Sequence, residues 1–168
     1  MIVADTGPII AFARIGRLGL LHDVAGVLMI PEAVYEELVG RGHNRPGAAE
    51  VAQGIWIHRR TVNDAAAVAH LPRLLHAGER EALILATELN AQLLIDETRG
   101  RELAIARGLE VLGSLRILGE AKRGGLIPAV RPIIAELLAT GYWIDEEVIR
   151  VFLQEMGEEP LTPAPPQE

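Results

Sequence analysis

Acidic residues at four places in this chain could do chemistry together. Asp5 ends the apolar run Ile2-Val3-Ala4, and Asp96, with Glu97 beside it, ends a second run, Gln92-Leu93-Leu94-Ile95. Glu79 and Glu81 fall in the first turns of a helix that feeds the Asp96 run, and Glu36-Glu37 follow a third apolar run, Val27–Ile30. No cysteine is present, which excludes thiolate chemistry, and the five histidines are scattered with none at i,i+4 spacing, which disfavours a zinc site. A cluster of carboxylates without His or Cys suits a hard divalent cation, Mg²⁺ or Mn²⁺, which takes oxygen ligands plus water and substrate phosphate. Such a centre is best suited to hydrolysing phosphodiesters.

Each acid also has a plainer reading. Asp5 and Asp96 could cap the helices that follow them. Glu79 and Glu81 could complement a helix dipole, and Glu36-Glu37 could sit on a solvated face. Two strand-end aspartates at one sheet edge are what the plainer reading leaves unexplained. The tripeptide Asp5-Thr6-Gly7 raises an aspartic protease, but Pro8 follows and helical periodicity dominates the chain. No GxxxxGK loop supports a nucleotide-binding reading.

The elements that must position these acids alternate strand with helix. Ile2–Ala4, Val27–Ile30, Gly54–His58 (an edge strand), Gln92–Ile95 and Leu109–Leu112 read as strands. Helices are expected from Pro8 to Gly16 and over Arg17–Val24, Pro31–Val39, Gly78–Asn90, Thr98–Arg107, Ser114–Lys122, Val130–Ala139 and Asp145–Met156. The Gly78–Asn90 helix is the strongest, with Ala82, Leu85, Ala86 and Leu89 on one face. Gly40–Gly47 reads as a surface loop, and Val62–Pro72 shows no clear period. This order predicts an α/β fold, a three-layer α/β/α sandwich around a mainly parallel sheet, with the site at the carboxyl ends of the strands. Residues 1–156 are expected to form one domain and residues 157–168 a disordered, Pro-rich acidic tail.

Among the 168 residues, 49% are apolar but only 4% aromatic, so Leu, Ile, Val and Ala must build the core. No apolar run approaches the ~20 residues of a membrane helix, and Asp5 interrupts any signal-like start, so a soluble, cytoplasmic protein with no membrane partner is expected. The net charge of −7 argues against a general nucleic-acid binder, yet seven acids and one base lie from Ile144 onward. Between Arg99 and Arg123 six bases face three acids, which leaves room for an RNA-directed face.

The segments IVADTGPIIAFARIGRLGLL, IPEAVYEEL and GEREALILATELNAQLLIDETRGRELAIARGLEVLGSLRILGEAKRGGLI together resemble the PIN-domain nucleases. More narrowly they resemble a prokaryotic, VapC-like branch with a DTGP start, a GExEA helix and an IDD-x-x-G-R segment. The resemblance covers about residues 1–140. It implies single-stranded RNA cleavage at an acidic cluster holding Mg²⁺ or Mn²⁺, with Asp5, Glu37 and Asp96 matching family acids and Glu97 standing where the branch carries a second Asp. The remaining acid is Glu81 or Glu79, which helical geometry does not separate. The resemblance further implies supporting roles for Thr6 and Ser114, phosphate contacts from Arg99 and Arg101, a homodimer, and a small antitoxin protein as partner. His76, Glu97 and Ser114-Leu115-Arg116 depart from the branch's pattern, which keeps a second reading open: a catalytically degenerate PIN-like module that binds a protein through Asp145–Glu159.

Overall fold

The computed structural model describes residues 1–40 and 45–161. Its strands are β1 (Ile2–Ala4), β2 (Leu28–Pro31), β3 (Ile57–Arg60), β4 (Gln92–Leu94) and β5 (Val111–Leu112). They form one all-parallel sheet in the order β3-β2-β1-β4-β5. Side chains alternate across it. Ile2, Ala4, Leu28, Ile30, Leu94 and Leu112 join the core on one face, while Val3, Leu93 and Ile95 join the core on the other.

The helices divide by the direction in which the chain travels. From β1 outward to β3 the connections are α1 (Thr6–Arg14), α2 (Leu18–Ala25), α3 (Glu32–Tyr35) with a following π-helical turn (Glu36–Gly40), and α4 (Ala48–Gln53). These pack on the first face, where α8 (Ser114–Arg123), α9 (Arg131–Ala139) and α10 (Glu146–Glu155) join them. On the return, α5 (Ala65–His70) and α6 (Ala77–Leu89) lead to β4, and α7 (Thr98–Ala106) leads to β5. Leu83, Leu85 and Ala104 of this set bury in the second face. Crossovers of one hand that reverse direction must change face, which is how the three layers arise. Among the described residues no helix is long and apolar enough to cross a membrane.

The fold is the expected one, with local differences. The strand expected at Gly54–His58 forms three residues later: Gly54 turns left-handed (φ +64°), Ile55 is exposed, and Ile57 is the residue that pairs with Leu28. It does lie at the sheet edge. The helix expected over Pro31–Val39 is broken in two, because Pro31 still pairs as a strand residue with Arg60 and the turn after Tyr35 widens. Residues 41–44 of the expected Gly40–Gly47 loop lie outside the described residues. The stretch without a clear period holds α5, started by Asp64, whose carboxylate accepts the Ala67 N–H at 2.8 Å. Of the stretch expected as a tail from Gly157, residues 157–161 are described. The Glu158 carboxylate, about one-tenth exposed, accepts from Lys122 Nζ (2.7 Å) and from the N–H groups of Val130 and Arg131 (2.8 Å each). Residues 162–168 lie outside the described residues.

Candidate active site

Because every strand runs the same way, all strand ends carry their following residues to one edge. The chain leaves β1 toward β2 but leaves β4 toward β5, so the connections diverge between these two neighbours and open a crevice there. Asp5 directly follows β1, and its N–H bonds the Leu94 carbonyl at 2.9 Å. Asp96 lies two residues beyond β4. The two strand-end aspartates therefore flank the crevice.

Asp5 is the N-cap residue of α1, yet its side chain makes no cap hydrogen bond, so capping does not account for it. It is 7% exposed. Burial raises its pKa to about 7; the Thr6 N–H opposes this, the carboxylates of Glu79 and Glu37 add to it, and the Gly7 N–H opposes it again. Glu37 reaches the crevice from the widened turn, accepting from Thr6 Oγ1 at 2.6 Å and from the Gly78 N–H at 3.1 Å. Gly78 forms the floor: a Cβ there would lie 3.1 Å from both Glu37 oxygens and 3.2 Å from Asp5 Oδ1. Glycine lets the α6 terminus come this close to the two acids without displacing either carboxylate.

Glu79 and Glu81, inseparable by helical spacing, point to different partners. Glu79 is buried beside Glu37 and accepts the His76 N–H at 2.6 Å, the reach-back bond of a helix start. Burial raises its pKa; the His76 N–H opposes this, and the Glu97 carboxylate adds to it. Glu81 instead accepts the Ala33 N–H at 2.9 Å, so its carboxylate is engaged at the start of α3. Glu81→Ala is expected to cost about 1 kcal/mol of stability through that lost bond and to leave any cleavage within a few-fold. Glu79→Gln is expected to lower any such cleavage by tenfold or more. Chemical denaturation and initial rates on the two variants check this.

Asp96 is held by three donors. Its Oδ1 accepts the Ser114 N–H at 2.7 Å; its Oδ2 accepts Ser114 Oγ at 2.5 Å and the Tyr142 hydroxyl. Burial, with the neighbouring Asp96 charge, pushes the Tyr142 phenol well above its ordinary value, so it stays a donor. Glu97 caps α7 by accepting the Gly100 N–H at 2.9 Å. Thr6 and Ser114 both spend their hydroxyls on carboxylates. Arg101 Nη1 donates to the Ile95 carbonyl at 2.9 Å while lining the cleft, whereas Arg99 is exposed on α7 and outside the cleft lining. Sequence reasoning missed Gly78 as a floor and Tyr142 as a partner of Asp96. The glycine at the start of the acid-bearing helix was a visible signal, but nothing local links residue 142 to residue 96.

Among the described residues, no three His, Cys, Asp or Glu side chains converge as a cage for an ion. Mg²⁺ needs less than a cage, since one or two carboxylates suffice with water and phosphate oxygens. The donors fit such an ion: they are hard oxygens, burial with the added charges of Glu79 and Glu37 lifts the Asp5 pKa, and glycine leaves room beside them. From Asp5 and Asp96 a cleft of about 1310 Å³ extends past Arg101 and Tyr142 to Trp143 and Phe152.

A family model described as a PIN domain matches residues 1–158. Among solved structures, the fold is similar to that of a PilT N-terminus domain protein from the hyperthermophilic archaeon Sulfolobus solfataricus. The two are 17% identical with a TM-score of 0.52, over 72% of this chain and 93% of the other. No curated protein sequence matches the chain. The all-parallel sheet, its two helical layers and the family match over nearly the whole length lead to one conclusion: the chain belongs to the PIN-domain family.

Proposed function

We propose that the chain is a divalent-metal-dependent endoribonuclease that hydrolyses phosphodiester bonds of single-stranded RNA. PIN domains are a nuclease superfamily, and that supports the reaction class. The observation that carries the proposal is Asp5: a carboxylate buried at the β1/β4 crevice beside Asp96, lifted by burial to a pKa of about 7, with Glu79 and Glu37 adding negative charge. A divalent cation held there would offset the negative charge that gathers when Asp5 ionises. Asp5 would hold Mg²⁺ or Mn²⁺ with Glu37 or Glu79, and Asp96 would complete the ring of oxygens. The ion, when bound, supplies Lewis acidity toward water and the scissile phosphate. Thr6 and Gly78 hold Glu37 in place, Ser114 and Tyr142 hold Asp96, and Arg101 at the cleft wall offers the strand a cation.

Asp5 gives this reading a pH signature. A carboxyl with a pKa of about 7 must release its proton to accept an ion, so Mn²⁺ affinity rises about tenfold per pH unit below 7 and levels off above it. Titration calorimetry between pH 5.5 and 8.5 measures this. The activity test is purified protein with Mn²⁺ and several single-stranded RNAs, where EDTA-sensitive cutting is expected.

A second reading, a PIN-like interaction module, is favoured by the cleft's lining. Eight acids outnumber three arginines there, and Arg116 and Arg123 pair with Glu120. Trp143 is 77% exposed, with Ile105 and Val148 also bare. Inactivity of the metal-loaded protein on every RNA tried would favour this module. The resemblance to VapC-like proteins supports placing the chain as the toxin of a type II pair, as a homodimer with a small inhibitory partner encoded beside it. Co-expression with the product of the neighbouring reading frame tests that placement.

A further inference from the structure

An ionised carboxylate offers about four lone-pair directions, two on each oxygen. At Asp96 three of them are occupied. Ser114 takes one on Oδ1 through its N–H and one on Oδ2 through its hydroxyl, and the Tyr142 hydroxyl takes the other on Oδ2. One lone pair is left, on Oδ1, the oxygen that lies against Gly113.

Tyr142 reaches Asp96 from the segment between α9 and α10, on the first face of the sheet. Its ring packs against that core, and Gly141 (φ +83°) makes the turn that delivers it. The hydroxyl is thus placed by the C-terminal helices and not by β4, so it fixes the carboxylate from an independent support.

We propose that Tyr142 is a positioning residue of this centre: with Ser114 it fixes the Asp96 carboxylate so that a single lone pair, on Oδ1, is left for a divalent cation. The inference rests on the metal-site reading above. A carboxylate restricted to one bond suits a small ion with strict octahedral demands. A carboxylate free to bind through both oxygens suits the larger, more flexible shell of Ca²⁺. Tyr142 and Ser114 therefore select the ion as well as orient the acid.

The test uses the full chain and the variants Tyr142→Phe and Ser114→Ala, each removing one hydroxyl from Oδ2. Mn²⁺ dissociation constants come from electron paramagnetic resonance, Ca²⁺ constants from competition, and thermal melts report folding. The expected result is Mn²⁺ affinity weakened about tenfold, with the Ca²⁺-to-Mn²⁺ affinity ratio shifted several-fold toward Ca²⁺ in both variants. A merely structural tyrosine would change the melt and not the ratio. An unchanged ratio with Mn²⁺ affinity within twofold, in either variant that melts cooperatively, overturns the inference and leaves the metal site standing. Absence of Mn²⁺ binding to the wild-type chain overturns the metal-site reading itself, and this inference with it.

Discussion

Asp5→Asn is expected to abolish cleavage and to stabilise the metal-free protein. The loss of rate follows from the position of Asp5 at the crevice. In the proposed metal-dependent reaction, charge stabilisation of several kcal/mol at the phosphate depends on holding the ion, and each 1.4 kcal/mol is tenfold, so the rate would fall on the order of a thousandfold. The gain in stability follows from the pKa. A carboxyl whose folded pKa of about 7 exceeds its unfolded value of 3.8 binds a proton on folding, so its charge opposes folding when the pH is high. The sign is opposite to that of a salt-bridged acid. The opposition is absent below pH 4, grows between pH 4 and 7, and is complete above 7. The gap corresponds to about 4 kcal/mol at pH 8, or a melting temperature on the order of 10 °C higher in the variant. Melts of wild type and Asp5→Asn without metal, from pH 4 to pH 8, should start together and diverge. Curves that stay parallel across that range would refute the assigned state of Asp5. Saturating Mn²⁺ should close much of the gap, because the ion neutralises the charge that the substitution removes.

The second large effect is expected at the other end of the chain. Cutting the protein after Met156, where helical periodicity ends, removes Glu158. That leaves the Val130 and Arg131 N–H groups and the Lys122 ammonium without the carboxylate they share. Val130 is fully buried, and an unsatisfied buried donor costs about 1–3 kcal/mol. Losing this carboxylate should therefore destabilise the protein by about 3 kcal/mol. Glu158→Ala alone should account for most of it, and Glu158→Asp should recover little because of its shorter reach. Burial pushes Glu158 upward, but Lys122 and the two N–H groups outweigh that and hold its pKa below the ordinary value. Its contribution is thus present at neutral pH and is lost as the pH falls through that depressed value. Urea denaturation of the three variants at pH 7 and at pH 3.5 separates these effects: the wild-type advantage seen at pH 7 should shrink at pH 3.5.

Much of this architecture can be read from the chain. Ile2–Ala4 and Gln92–Ile95 are apolar runs that stop at aspartates, and in a parallel sheet that alone brings Asp5 and Asp96 to one edge. The Ala82/Leu85/Ala86/Leu89 stripe fixes which way α6 faces. What the chain hides depends on contacts distant in sequence. Glu79 and Glu81 flank that stripe equally, and only the opposing groups, the His76 N–H and the Ala33 N–H, give them different surroundings. The widening of the turn at Glu36–Gly40 leaves no mark in composition, yet Glu37 meets Thr6 and Gly78 from it. Ile55-Trp56-Ile57-His58 reads as strand from Ile55, but pairing with β2 decides where the strand begins. Tyr142 and Glu158 lie in stretches whose polarity suggests surface. Their partners, Asp96 beyond the end of β4 and the donors on α8 and at the start of α9, lie 27 or more residues away in sequence.

The strand order has a consequence in time. β1 pairs with β4 through Ile2 and Gln92, about 90 residues apart in sequence, and the crevice exists only once that pair has formed. Contacts this distant form late and slowly, because the intervening loop must first be closed. Asp5 leaves the ribosome long before Glu79, Asp96 or Tyr142, so an incomplete chain holds isolated carboxylates and no centre. Synthesis itself thus keeps the acidic crevice unassembled until most of the molecule exists, and any activity that depends on it arises only with the nearly finished chain.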